Sequence, residues 1–196
     1  MNAFDEETHT YTINGIKVPS VTEVIEKTLG RIWYADDFYL RRGSAIHACA
    51  KMIAEGKDFD YDERIEGYVK ALKRFFKEVK PEVLHIEKTM YSKKFSFAGT
   101  SDLVCKISNR LCVEDYKASF EKERLKLQLA GYALLYQENY GKVIKLGHGI
   151  KLNNNQLGTY SMTEPIDLRQ ARQEFLILRN YLAIKERICG KEDDRV

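Results

Sequence analysis

The sequence predicts an α/β fold with helices packed on a mixed sheet, and three observations carry that reading. In the middle of the chain the apolar period changes from helical to alternating, so that "HIEKTMYS", "FSFAGTSDLVCKI" and "LCVEDYKAS" read as consecutive strands of an antiparallel meander. Helical periodicity stands on both sides of that block. Two more strand candidates, "VIKLGHGIKL" and "LGTYSMT", lie between two long helices, giving the order α-α-α-β-β-β-α-β-β-α. With 196 residues, 44% of them hydrophobic, the chain can build one good core, and residues 1–196 are expected to form a single domain.

Each element has a local reason. "HTYTING" is a hairpin signal through its Asn-Gly pair. After Pro19, Ser20 and Glu23 make a capping box that opens a helix running to about Leu29. "RRGSAIHACAKMIAEG" is a second helix, with Ala45, Ala48, Cys49 and Met52 at core spacing and Gly56 as its stop. "YDERIEGYVKALKRFFKEV" is amphipathic through Ile65, Tyr68, Val69, Leu72, Phe75 and Phe76, and Pro81 ends it. Beyond the meander, "EKERLKLQLAGYALLYQENYG" closes at Gly141, and "DLRQARQEFLILRNYLAIKERI" is a long terminal helix.

Composition narrows the setting more than the activity. The net charge of +3 permits a polyanionic partner without requiring one. Cys49, Cys105, Cys112 and Cys189 form no C-x-x-C pair, and three of them sit in apolar contexts where a thiol serves as a small hydrophobe, which suggests a reducing cytosol. The acidic start "MNAFDEETHTYT" lacks an apolar leader core, and no run approaches the roughly 18 apolar residues of a membrane span. A soluble, unexported protein with no membrane partner is expected.

The strands around "FAGTSDLVCKISNRLCVEDYKAS" carry Asp102, Asp115 and Lys117 where a core wants aliphatic residues. Strand interiors disfavour Asp, and burying a lone carboxylate costs several kcal/mol. Asp115 and Lys117, two apart, share a strand face, and Tyr116 points away. Whether Asp102 joins them depends on the turn. Two loop residues, Ser108-Asn109 or Asn109-Arg110, set Asp102 opposite Asp115 or Lys117, whereas three set it opposite Tyr116. Paired carboxylates repel unless a cation sits between them, and hard oxygen donors suit Mg²⁺ or Mn²⁺. The D/E-x-K pattern alone says little, since Glu55-Gly56-Lys57 and Glu78-Val79-Lys80 match it as solvated helix charges. An exposed sheet face with a salt bridge is the bland reading of the same residues. His47 could ligate the ion or be a core histidine bonded to a carbonyl. Gln128 and Tyr132, four apart, share one helix face, where a Gln among leucines wants a polar partner.

Taken in order, Arg42-Gly43 with His47, Glu87, Gly99-Thr100-Ser101-Asp102, Asp115-Tyr116-Lys117 and Gln128-x-x-x-Tyr132 resemble the series G-x-x-x-H, E, G-x-x-D, D-x-K, Q-x-x-x-Y of the PD-(D/E)XK nuclease superfamily, RecB-like exonuclease branch. "VPSVTEVI" resembles the P-S-V-T segment of phage and mitochondrial single-strand exonucleases of that branch, and the likeness spans about residues 16–136. The resemblance implies a restriction-endonuclease-like fold with a central mixed β-sheet flanked by helices. It also implies a DNA exonuclease dependent on one or two Mg²⁺ or Mn²⁺ ions, acting in phage-type recombination, repair or replication in the cytoplasm of a bacterial or phage-infected cell.

By that likeness Asp102 and Asp115 would bridge the metal, with the Tyr116 carbonyl and His47 as further ligands. Lys117 would orient or deprotonate the attacking water and steady charge on the phosphate, and Glu87 would be the extra acid, its alternative being a solvated strand charge. Gln128, Tyr132 and Arg42 would contact the nucleic acid. Ser20 and Thr22, at a helix N-terminus, would bind phosphate or simply cap. DNA that is single-stranded or has free ends would be the substrate, with Tyr132, Tyr136, Trp33 and Tyr34 as stacking faces and a recombination or replication protein as a further partner. Glu114 stands where relatives carry an aliphatic residue. Iron-sulfur nucleases of this branch use three C-terminal cysteines where this chain has Cys189 alone, so no iron-sulfur cluster is expected. A catalytically weak DNA-binding accessory protein and a structure-specific endonuclease are the competing readings.

Overall fold

The computed structural model describes residues 2–5, 8–31 and 37–190. Its framework is a mixed sheet in the order β4-β5-β6-β7-β8, formed by β4 (Glu82–Ser92), β5 (Phe97–Ile107), β6 (Arg110–Lys117), β7 (Leu146–Leu152) and β8 (Tyr160–Met162), with β9 (Ile166–Asp167) also on β7. β4, β5 and β6 are the expected antiparallel meander. β6 and β7 pair in parallel, and the helix between them supplies the long crossover that parallel neighbours require.

Helices cover both faces. On one lie α1 (Val21–Leu29), α4 (Lys122–Tyr140) and α5 (Arg169–Cys189), where Val24, Leu129, Ala133 and Phe175 meet Val104 and Val113 of the sheet. On the other, α3 (Glu66–Val79) and α2 (Asp37–Ala54) bury Leu72, Phe75 and Ile46 against Leu103, Cys105, Tyr116 and Ile150. β5 is thus covered on both sides, which is why its sequence runs apolar with little alternation.

The caps read from the sequence form as expected. Ser20 Oγ accepts from the Glu23 amide at 3.0 Å, and Glu23 Oε2 accepts from the Ser20 amide at 2.7 Å. Lys80 ends α3 in a left-handed conformation just before Pro81, and Gly141 does the same for α4. The N-terminal hairpin is β2 (Thr10–Ile13) and β3 (Ile16–Val18), turning on Asn14 and Gly15 with φ of 52° and 79°.

Three features depart from expectation. A strand β1 (Ala3–Asp5) joins that hairpin in a separate three-stranded sheet, packed on Ala98 and Tyr91. α2 begins at Asp37 rather than near Arg41, and β4 begins at Glu82 rather than His85. No helix among the described residues is long and apolar enough to cross a membrane.

Candidate metal centre

The hairpin between β5 and β6 turns on two residues, Ser108 and Asn109, both at positive φ, with Ile107 paired to Arg110 and Leu103 to Glu114. Continuing that register by one residue sets Asp102 opposite Asp115. On the other side of β5, Ile86 pairs with Leu103 and Lys88 with Ser101, so Glu87 lies across from Asp102. Three acids therefore stand in one row over three strands. The row ends on β7 at Gly149, the partner of Asp115 in register. A Cβ there would come within 2.4 Å of Leu125 and 2.9 Å of Phe120, so only glycine lets the α4 side close on the site. Glu87 has φ of 45°, a left-handed conformation that costs a non-glycine strand residue about 1–3 kcal/mol.

Gly43 and His47, four apart, share a face of α2, and nothing lies within 4 Å of where a Gly43 Cβ would stand. His47 Nδ1 lies 2.9 Å from Glu87 Oε1 and 3.5 Å from Asp102 Oδ1. One donor atom from each of His47, Glu87 and Asp102 falls within 4.8 Å of the other two. Side-chain exposure falls from 30% at His47 and 21% at Glu87 to 7% at Asp102 and 1% at Asp115, so the acids form a floor and the imidazole a rim.

Asp102 Oδ2 accepts from the Tyr116 amide at 2.8 Å. Asp115 Oδ1 accepts from Gln128 Nε2 at 2.8 Å, and the same amide donates to the Tyr132 hydroxyl at 3.1 Å. Lys117 donates to Gln128 Oε1 and its Nζ lies 3.2 Å from Asp115 Oδ2. That contact is not aligned as a hydrogen bond, and Asp115 Oδ2 is buried without one. Burial pushes the Asp102 carboxyl above its usual range against the pull of His47, with Asp115 and Glu87 adding to the rise. Burial alone would lower the His47 pKa, but Asp102, Glu87 and Asp115 outweigh it and raise it to about 10. Three acids in one row, the buried Asp102 carboxyl held up in pKa, and a histidine charged by its neighbours are features that suit a cation-binding centre. His47, Glu87 and Asp102 could hold a divalent ion, and Asp115 lies beside Asp102 in the same row.

A cleft of about 580 Å³ reaches the centre, lined by His47, Lys117, Gln128, Arg42, Tyr39 and Phe120 among others. Arg42 holds its guanidinium 4.8 Å from the centre of the Tyr39 ring and 5.4 Å from that of Tyr68. Thr22 is exposed at the cleft rim, whereas the Ser20 hydroxyl is engaged in its capping box. Tyr116 turns its ring away from the acids into the α3 layer, as strand parity requires.

The stacking role expected of Tyr132 and Tyr136 is corrected. They are 6% and 2% exposed in the α4 core, so neither offers a face to a base. Trp33 and Tyr34 lie outside the described residues. Within the cleft, Tyr39, 51% exposed, and Phe120 are the available aromatic faces. Sequence reading also left Glu114 without a partner. It is fully buried on the opposite sheet face, where His148 Nδ1 lies 3.0 Å from both of its oxygens.

The chain is similar in fold to a candidate exonuclease from Eubacterium rectale, with 15% identity over 91% of this chain and 78% of that one and a TM-score of 0.51. A second solved structure, SSO0001, aligns over 88% of this chain and 95% of its own at 12% identity, but its TM-score of 0.28 is too low to speak to the fold. No family model matches the chain, and no curated protein matches its sequence.

Proposed function

We propose that the chain is a metal-dependent deoxyribonuclease of the PD-(D/E)XK, RecB-like type, acting as an exonuclease on DNA with free ends. The observation that carries this reading is the row Glu87, Asp102, Asp115 with His47 at its rim and the Lys117 ammonium 3.2 Å from Asp115 Oδ2. Binding DNA calls for cations and gains nothing from clustered acids, so the row favours catalysis over an accessory role.

In this reading Asp102, Asp115, Glu87 and His47 hold one or two Mg²⁺ or Mn²⁺ ions, with the Tyr116 carbonyl as a further ligand. A bound divalent ion supplies Lewis acidity, easing loss of a proton from water and offsetting charge that develops on phosphorus. Gln128 fixes the Asp115 carboxylate through Oδ1 and, with Asp115, positions the Lys117 ammonium. Lys117, at the mouth of the cleft, steers the attacking water and steadies the phosphate. Arg42, Tyr39 and Phe120 receive the strand, and Thr22 borders its path. The fold shared with a candidate exonuclease supports the same assignment.

The test is digestion of end-labelled linear single strands, linear duplexes and covalently closed single-stranded circles with Mg²⁺ or Mn²⁺. Linear molecules should be degraded while circles of equal length persist. Circles cut as fast as linear molecules would replace the exonuclease with an endonuclease.

A further inference from the structure

A second donor set lies on the other face of the sheet from the acid row. Cys105 pairs directly with Cys112 across β5 and β6, and Glu114 pairs with His148 across β6 and β7. Cys112 and Glu114 are two apart on one strand, so all four side chains project to the α3 side. They form two facing pairs, side by side, and all are buried.

The distances suit a metal. Cys105 Sγ lies 3.8 Å from Glu114 Oε1, and His148 Nδ1 lies 3.0 Å from both Glu114 oxygens. One donor each from Cys112, Glu114 and His148 falls within 4.8 Å of the other two. Bonds of about 2.0–2.3 Å in a tetrahedron put neighbouring donors about 3.3–3.8 Å apart, so Cys112, Glu114 and His148 fill three positions by small side-chain adjustments, and Cys105, whose thiol now donates to Glu114 Oε1, turns in to fill the fourth. Cys112 would give up its present hydrogen bond to Arg110 O at 3.3 Å.

The alternative is an apolar layer interrupted by a bare Glu114–His148 pair. That pair does not account for the Cys112 sulfur lying within 4.8 Å of donors on both Glu114 and His148, with the Cys105 thiol on the same carboxylate. Two sulfurs, one imidazole and one carboxylate, closed to solvent, match a structural tetrahedral site rather than a catalytic one with an open position.

We propose that Cys105, Cys112, Glu114 and His148 bind a structural Zn²⁺ ion within the layer between the sheet and α3. This site is separate from the acid row and does not depend on the nuclease reading.

Full-length protein is purified without chelator, dialysed, and assayed for zinc by mass spectrometry. A second sample is loaded with Co²⁺ and its absorption recorded. Wild type and Asp115→Asn should each retain one zinc per chain, and Co²⁺ should give the near-ultraviolet thiolate charge-transfer band that an oxygen and nitrogen site cannot produce. Cys112→Ser should lower the band to the intensity of a single thiolate and bind zinc at least about tenfold more weakly. Because Cys112→Ser can fail to fold, the wild-type cobalt spectrum decides independently. Wild type without retained zinc and without a thiolate band overturns the site, as does a folded Cys112→Ser that keeps full zinc.

Discussion

Asp115 is held on one oxygen by Gln128, and its other oxygen, buried and without a hydrogen bond, lies 3.2 Å from the Lys117 ammonium. His47 lies at the rim of the same cluster, 2.9 Å from Glu87 Oε1. With its pKa raised to about 10, it is protonated at neutral pH in the metal-free protein. A ligating ring nitrogen must be unprotonated, so ion binding releases that proton and affinity rises with pH until about 10. Mn²⁺ titrations near neutrality should therefore show heats that differ between buffers of different ionisation enthalpy, in the sense of proton release. Equal heats in all buffers would remove His47 from the ligand set. His47→Ala should weaken Mn²⁺ binding at least about tenfold, since its nitrogen donor tilts an oxygen site toward that ion. A lowered melting temperature with an unchanged titration would instead mark a core histidine. Much of this was legible in the sequence, because side-chain alternation and a two-residue Ser108-Asn109 turn suffice to put Asp102 opposite Asp115. Glu87 was harder to place. Its position depends on a register shift in β4 between Val83 and His85 and on its own positive φ, neither of which has a sequence signature.

At the scale of elements, α4 does two jobs. It is the crossover that makes β6 and β7 parallel, and it carries Gln128 to Asp115. Its packing leaves little room. A Cβ on Gly131 would approach Val21 to 2.7 Å and Phe175 to 3.0 Å, so α1, α4 and α5 meet at a contact only glycine permits. Phe175 is fully buried there, its ring 5.1 Å from that of Phe97. Phe175→Ala should cost about 3–5 kcal/mol in urea unfolding. A loss under about 1 kcal/mol would show that α5 contributes little to this core. The helices and the meander were readable from caps and periodicity, each a local signal. The pairing of Glu114 with His148 was not, because it arises only after a parallel crossover brings residues 34 positions apart into register. The burial of Tyr132 and Tyr136 escaped for a related reason: α4 is covered by the sheet and by two other helices, which its own pattern does not disclose.

For the whole molecule, the sheet separates two donor clusters, Glu87, Asp102 and Asp115 with His47 at their rim, and Cys112, Glu114 and His148 on the α3 side. Among the described residues the cleft is lined by His47, Lys117 and Gln128 and by none of the second set, so the proposed nuclease activity belongs to the acid-row side. Lys117→Ala should lower turnover while metal binding persists, because its proposed work is on water and phosphate rather than on the ion. A fall in metal affinity equal to that of Asp115→Asn, measured calorimetrically, would contradict this division. The most direct measurement is the rate of nucleotide release from end-labelled linear single-stranded DNA in Mn²⁺, for wild type and for folded Asp115→Asn, with and without chelator. Wild type should cleave only with the metal, and Asp115→Asn should be slower by at least about a hundredfold. Cleavage that survives the chelator, or that Asp115→Asn retains at the wild-type rate, would contradict a metal-dependent nuclease centred on the acid row.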